Sequence, residues 1–320
     1  LMITYEDLGV KPVINACGKM TLLGASVIDP QIAEAMKKAS QHYVNILDLE
    51  EKAGRMIAKI TGAEDACMTA GASSGIAMGT GAFIAGTDIA KIQMLPEGAG
   101  NKCEVLLQMG HMINFAGMVR IAGGKLMPIG WVNFVTKEHL EHSINDNTVA
   151  FLYVVSHHTV QKGMLPLSEC IEICHAKNIP VLVDAAAEED LRKYISLDAD
   201  LVTYSGGKAI GGPSFGFICG KSKYIAACRA QFWGIARAMK ITKEGIMGVL
   251  TAIQIYDQRD KLSERKRQDA INSRVFQGLE SLPDTIVKKA QDETRRNIFR
   301  TRLKLNENSL GFTAFDLINF

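Results

Sequence analysis

One lysine stands where a lysine can do covalent chemistry. In Asp200-Leu-Val-Thr-Tyr-Ser-Gly-Gly-Lys-Ala-Ile-Gly-Gly-Pro an apolar run ends at Ser205, and Lys208 follows between two glycine pairs. Glycine admits positive φ and lets the backbone approach a ligand closely. A lysine in such a crowded, water-poor turn has its ammonium form disfavoured, which suits imine formation with an aldehyde. Asp184 is the second such position. It closes the apolar run Pro180-Val-Leu-Val and precedes Ala185, Ala186 and Ala187. A carboxylate there can pair with a protonated ring nitrogen while the alanines let a flat ring lie close. The third is Gly71-Ala-Ser-Ser-Gly, where Gly71, Ala72, Ser73 and Ser74 open a helical pattern behind an apolar run. Backbone N–H groups at a helix start, with two hydroxyls beside them, suit a phosphate. Each position also has a plainer reading: a surface-loop lysine, a helix-capping aspartate, and small residues that serve helix packing. The three together describe a site for a phosphorylated aldehyde with a ring nitrogen.

These positions need elements to hold them. From about Asp48 to Gly220, strand-like and helical patterns alternate. The candidate strands are Ala66 to Thr69, Val105 to Gln108, Leu126 to Ile129, Val149 to Val155, Pro180 to Asp184, Leu201 to Ser205 and Phe215 to Gly220. Helical periodicity is expected over Ser73 to Ala85, Asn114 to Ala122, Thr136 to Ser143 and Leu167 to Asn178. An earlier helix is expected to start at Asp48, with Glu51 completing a capping box, and to stop at Gly62. Such alternation predicts an α/β fold with a mostly parallel sheet covered on both faces. Ligands of such sheets gather at the carboxyl ends of the strands. The expected organisation is an N-terminal segment over 1–45, a large domain over 46–240, and a linker helix with a small α+β C-terminal domain over 241–320. One long polar helix is expected from Thr242 to Gly278, and the chain stops within what reads as the small domain.

Several stretches resemble fold-type-I enzymes that use pyridoxal 5′-phosphate (PLP), and among them the bacterial selenocysteine synthase-like group. Val13-Ile-Asn-Ala-Cys-Gly resembles its N-terminal element, and Arg237-Ala-Met-Lys-Ile-Thr-Lys resembles its Arg-Ala-x-Arg/Lys-x-x-Lys element. Gln108-Met-Gly-His-Met, Ser156-His-His-Thr-Val-Gln-Lys-Gly, Asp184-Ala-Ala-Ala-Glu-Glu and Ser205-Gly-Gly-Lys-Ala-Ile-Gly-Gly-Pro are similar to its D-glucosaminate-6-phosphate ammonia lyase subgroup. The resemblance implies a three-layer sandwich of the aminotransferase type. It implies PLP as cofactor, Lys208 as its Schiff-base lysine, Asp184 as its ring-nitrogen partner, and the Gly71 to Ser74 loop with Ser205 on its phosphate. By analogy with the fold, His111 is expected to stack on the ring. His157, His158 and Arg237 are candidates for substrate, with solvated surface groups as the alternative. The chain departs from the group at Ser214-Phe215, where Gln and a small residue are usual, and Phe215 is bulky for a turn beside a cofactor.

The activity implied is an ammonia lyase acting on an amino-sugar acid phosphate through Cα deprotonation and β-elimination, with Lys208 as base. A transferase on seryl-tRNA and a non-catalytic PLP-fold binding protein are the alternatives. A formal charge of +2 over 320 residues gives no reason to expect nucleic acid or an anionic membrane as partner. No signal peptide, membrane span or metal cluster is expected, and seven cysteines without a C-x-x-C pair fit a reducing cytoplasm. A homodimer or higher homo-oligomer, with the site at the subunit interface, follows from the resemblance.

Overall fold

The structure, a computed structural model, describes residues 2–15, 18–291 and 299–319, so the Val13 to Gly18 motif lies partly outside the described residues. The chain divides into two compact units, Leu1–Asp257 and Gln258–Phe320.

In the first unit, α1 (Pro30–Ser40) starts behind Asp29, whose carboxylate accepts the Gln31 N–H at 2.8 Å. Helix α2 (Ile46–Thr61) is capped by Asn45, which accepts from the N–H groups of Leu47 and Asp48 at 3.0 and 3.3 Å. The expected start at Asp48 is therefore inside the first turn, because Asn45 offers the backbone an acceptor sooner. Gly62, at φ 75°, ends the helix as expected. Then come β1 (Asp65–Thr69), α3 (Ala72–Ala85), α4 (Ile89–Met94), β2 (Glu104–Gln108), a 3₁₀ stretch over Asn114–Ala122, and β3 (Lys125–Ile129). They are followed by α5 (Lys137–Ser143), β4 (Thr148–Val154), α6 (Leu167–Ala176), β5 (Val181–Asp184), α7 (Lys193–Ser196), β6 (Leu201–Ser205), β7 (Gly216–Gly220), α8 (Ser222–Ala230) and α9 (Lys243–Gln258).

The sheet order is β1-β7-β6-β5-β4-β2-β3. Strand β7 runs antiparallel to its neighbours β1 and β6, and the other pairs are parallel. Every residue of β2, β4, β5 and β7 is buried, as in a sheet covered on both faces. Alternate strand residues enter two different cores. Met68, Leu106, Tyr153, Val183 and Tyr204 join Ile57 of α2, Cys170 of α6 and Ile253 of α9. Cys67, Leu107, Val154, Leu182 and Leu201 join Ile76 of α3 and Ile225 of α8. This is the expected three-layer fold-type-I architecture.

The second unit holds α10 (Lys261–Glu280), the antiparallel pair β8 (Thr285–Gln291) and β9 (Phe299–Leu305), α11 (Glu307–Leu310) and α12 (Ala314–Asn319). None of its described residues is buried. The polar stretch expected as one helix is two. Asp260 accepts from the N–H groups of Leu262 and Ser263 and starts α10 afresh, while α9 buries Ile246, Val249 and Ile253 in the first unit.

Candidate active site

Strands β4, β5 and β6 are parallel and end together at Val154, Asp184 and Ser205, with Asp184 opposite Val154 on one side and Thr203 on the other. Past β6 the chain turns through Gly206 to Ile210. The Gly206 N–H donates to Phe215 O at 2.6 Å and the Gly212 N–H to Gly206 O at 2.7 Å. A Cβ on Gly206 would lie 2.8 Å from Phe215 O and 2.9 Å from Pro213 O, so the turn requires glycine there. The N-terminal segment straps the same turn from outside: Ser26 Oγ donates to Gly207 O at 2.9 Å and Lys19 Nζ to Ala209 O at 3.3 Å.

Lys208 thereby faces a cavity of about 220 Å³ lined by Gly71, Ala72, Ser73, Ser74, Asp184, Ala186 and Ser205 among others. The three positions inferred from sequence share one cavity. Asp184 is 4% exposed and accepts the Ala186 N–H at 3.2 Å. Burial pushes its carboxyl up to about 6, against the pull of the Lys208 charge and that N–H. Gly71, at φ 147°, precedes α3 without a capping side chain, so the first N–H groups of α3 are not claimed by a cap. Further along α3, glycines do serve packing. A Cβ on Gly75 would collide with Thr203 of β6, and one on Gly79 would crowd Leu182 and Ile218. Both readings of the small-residue run thus hold, on successive residues.

The remaining assigned residues lie outside the lining of this cavity. His111 is fully buried and absent from the cavity wall; its ring meets Tyr153 edge-on at 4.7 Å, and its Nδ1 accepts the Val154 N–H at 3.2 Å. The side chain turns inward, taking that strand-end donor and packing beside Tyr153. The aromatic ring in the cavity is Phe115, four residues on, with Lys208 Nζ 5.6 Å from its centroid. His157 and His158 are exposed, with ring centroids 3.7 Å apart and planes tilted by 42°, while their neighbour Ser156 lines the cavity. Arg237 lines a separate open hollow with Trp233, Leu95 and Pro96. Thr21 and Ala25 also line the Lys208 cavity, where no strand-end pattern marks them, and so does Ser214, noted above only as a departure from the group. Phe215 faces away: its ring packs so closely on α9 that a Cβ on Gly245 would strike it.

A family model described as L-seryl-tRNA selenium transferase, SelA, matches residues 13–291. The chain belongs to this family. It is 41% identical over 317 residues to D-glucosaminate-6-phosphate ammonia lyase of Salmonella typhimurium, covering 98% of this chain and 85% of that one. It is 36% identical to 5′-C-glycyluridine monooxygenase-decarboxylase of a Streptomyces species, over 98% and 80% of the two chains. A solved structure of D-glucosaminate-6-phosphate ammonia-lyase matches at 40% identity with a TM-score of 0.88, covering 98% of this chain and 85% of that chain. The SelA-like family is PLP-dependent and of fold type I, and the chain is an enzyme of that kind. The site fits the cofactor on its own terms. An uncapped helix start with serines, a buried carboxylate and a lysine converge on one cavity whose walls are kept low by Ala186 and Ala187.

Proposed function

We infer that the chain is a PLP-dependent ammonia lyase that converts D-glucosaminate 6-phosphate, or a related amino-sugar acid phosphate, to its 2-keto-3-deoxy product and ammonia. The observation that carries this reading is the relative of that name, alike over 98% of the chain. Three of the four subgroup motifs contribute to the Lys208 cavity, through Ser156, through Asp184, and through Ser205 with Lys208; in the fourth, the Gln108 side chain bonds Leu165, on the loop that begins at Ser156. PLP, when bound, supplies an electron sink for charge developing at the substrate's C2. Asp184 keeps the ring nitrogen protonated from a buried position. The Gly71 to Ser74 backbone, with the hydroxyls of Ser73, Ser74 and Ser205, holds the phosphate group. Phe115, the aromatic side chain in the cavity wall, would cover the bound group and help exclude water. Lys208 would anchor the cofactor, and its amine would serve as the base for the substrate's C2 proton. Loss of the C3 hydroxyl as water, then hydrolytic loss of the amine, completes a conversion with no net redox change.

His157 and His158 stand at the rim of this site as candidates for the sugar-acid tail. Arg237 does not reach the cavity of its own chain, and we assign it to a neighbouring copy's site in a homo-oligomer. No helix among the described residues is long and apolar enough to cross a membrane; a cytoplasmic setting suits a sugar-acid phosphate. Phe215 was the departure that favoured a non-catalytic protein, and its ring is spent on packing. The deciding experiment incubates PLP-loaded protein with D-glucosaminate 6-phosphate and assays ammonia and 2-keto-3-deoxy product. Ammonia release is expected, and its absence in a loaded sample rejects the substrate. A gel shift with seryl-tRNA, expected to be negative, tests the transferase alternative.

A further inference from the structure

Two motifs that the resemblance singled out dock one on the other, and the first of them, Gln108 to Met112, has no part in the chemistry above. Gln108, at the end of β2, is 1% exposed and makes two bonds to a single residue: its Nε2 donates to Leu165 O at 3.0 Å and its Oε1 accepts the Leu165 N–H at 2.8 Å. A Cβ on Gly110 would collide with the side chain of Gln161. His111 accepts the Val154 N–H at Nδ1, and its Nε2 lies 3.0 Å from Met164 Sδ. A backbone N–H can only donate, so Nδ1 carries the lone pair and Nε2 the proton. The ladder from β2 to β4 reaches only Leu106 and Phe151; the imidazole takes the strand-end N–H that the ladder leaves. Burial holds the ring neutral, its pKa lowered to about 4.

The clamp grips both ends of one loop. Val154 stands two residues before Ser156, and Leu165 closes the same loop. Thr159 Oγ1 donates to Val154 O at 3.0 Å and to Ser156 O at 2.9 Å, so the bend at Ser156 is tied back to the strand end. Val154, Val155 and Ser156 form one wall of the Lys208 cavity. Val154 is also the strand partner of Asp184, and the Val155 N–H donates to Asp184 O at 2.9 Å. A shift of the β4 end therefore moves both a cavity hydroxyl and the carboxylate's own backbone.

We propose that His111 and Gln108 are positioning residues, a neutral imidazole and an amide that clamp the 154–165 loop and so set Ser156 and Asp184 toward the cofactor. This rests on the Lys208 cavity being the PLP site and not on the choice of substrate. The test compares full-length H111F, H111N and H111Q, reading PLP affinity by absorbance titration, hydrogen exchange over 151–166, and melting temperature. An asparagine oxygen falls near the place of Nδ1, whereas a glutamine amide reaches toward Nε2 and Met164. H111F is expected to speed exchange of the loop and weaken PLP binding about ten-fold, the size of one lost hydrogen bond. H111N should stay within about two-fold of the parent and H111Q should resemble H111F. That order, independent of melting temperature, separates positioning from mere core filling. Equal PLP affinities for the Asn and Gln variants, with a parent that binds PLP, overturn the clamp alone. A parent that binds no PLP overturns the cofactor site and the clamp together. Should H111F fail to fold, the Asn and Gln pair carries the comparison, with Q108E as a further variant expected to loosen Leu165.

Discussion

In the proposed reaction Lys208 and Asp184 divide the chemistry between proton transfer and charge holding, so their removal should fail differently. K208A takes away the base, and turnover is expected to fall about 10²- to 10⁴-fold, with loss of the covalent attachment that borohydride traps in the parent. D184N keeps shape and loses charge; a drop of about 10²- to 10³-fold is expected, with the attachment intact. Ammonia release and mass spectrometry after reduction check both. The same aspartate and His111 titrate against each other in the cofactor-free protein. The native carboxyl of Asp184, raised from 3.8 to about 6, takes its proton before the unfolded chain does, so this group adds stability as pH falls through 6 toward 4. Native His111, lowered from 6.5 to about 4, takes its proton after the unfolded chain, so it removes stability over nearly the same window. Each shift amounts to roughly 3 kcal/mol when fully expressed. Melting curves from pH 7 to 4 should therefore fall more steeply for D184N than for the parent, and less steeply for H111N. Lys208, Asp184 and the Gly71 loop were legible because glycine pairs, a strand-ending acid and a small-residue helix start are local patterns. His111 was not, because which way a ring turns after a strand depends on a backbone donor 43 residues away.

At the scale of elements, the phosphate cradle is only as well placed as α3 is seated on β6. Gly75 sets that seat, and Thr203, whose Oγ1 donates to Ala72 O at 3.2 Å, fills the space a side chain would need. G75A is expected to lose about 1–3 kcal/mol to overpacking, more than the helix gains from alanine, and to weaken PLP binding because the helix start shifts. Thermal melts and a PLP titration check the two effects. Gly278 in α10 is the contrast: it has nothing within 4 Å of an added Cβ, so G278A should stabilise its helix by about 0.5–1 kcal/mol and leave PLP affinity unchanged. Strands β2, β4, β5 and β7 were legible because their residues are buried on both faces and read as mostly apolar runs. The helix boundaries at Asn45 and Asp260 were less so. In each, a capping side chain competed with a continuing pattern, and the cap won by satisfying N–H groups that the pattern leaves open.

Across the whole molecule the two units differ in how their residues are covered. The first has a core on each face of its sheet, and α9 belongs to it: its run Ile246 to Tyr256 is mostly apolar, which is masked when it is read as one stretch with the polar residues beyond Asp257. The second has its hairpin and helices, yet none of its described residues is buried. Segments with few buried contacts open at low free energy, and proteases cut what opens. Brief trypsin treatment is therefore expected to cut beyond Asp257 first, where Arg259, Lys261, Arg265, Lys266 and Arg267 offer sites. The surviving fragment should keep the cofactor's absorbance, since every residue lining the Lys208 cavity lies before Asp257. PLP binds the native first unit, and by mass action it should slow later cuts there while leaving the early ones untouched. Gel analysis with and without PLP reads the difference; equal protection of both units, or early cuts between Gly71 and Ser214, would mean that the cofactor site does not sit within a unit that is stable on its own terms.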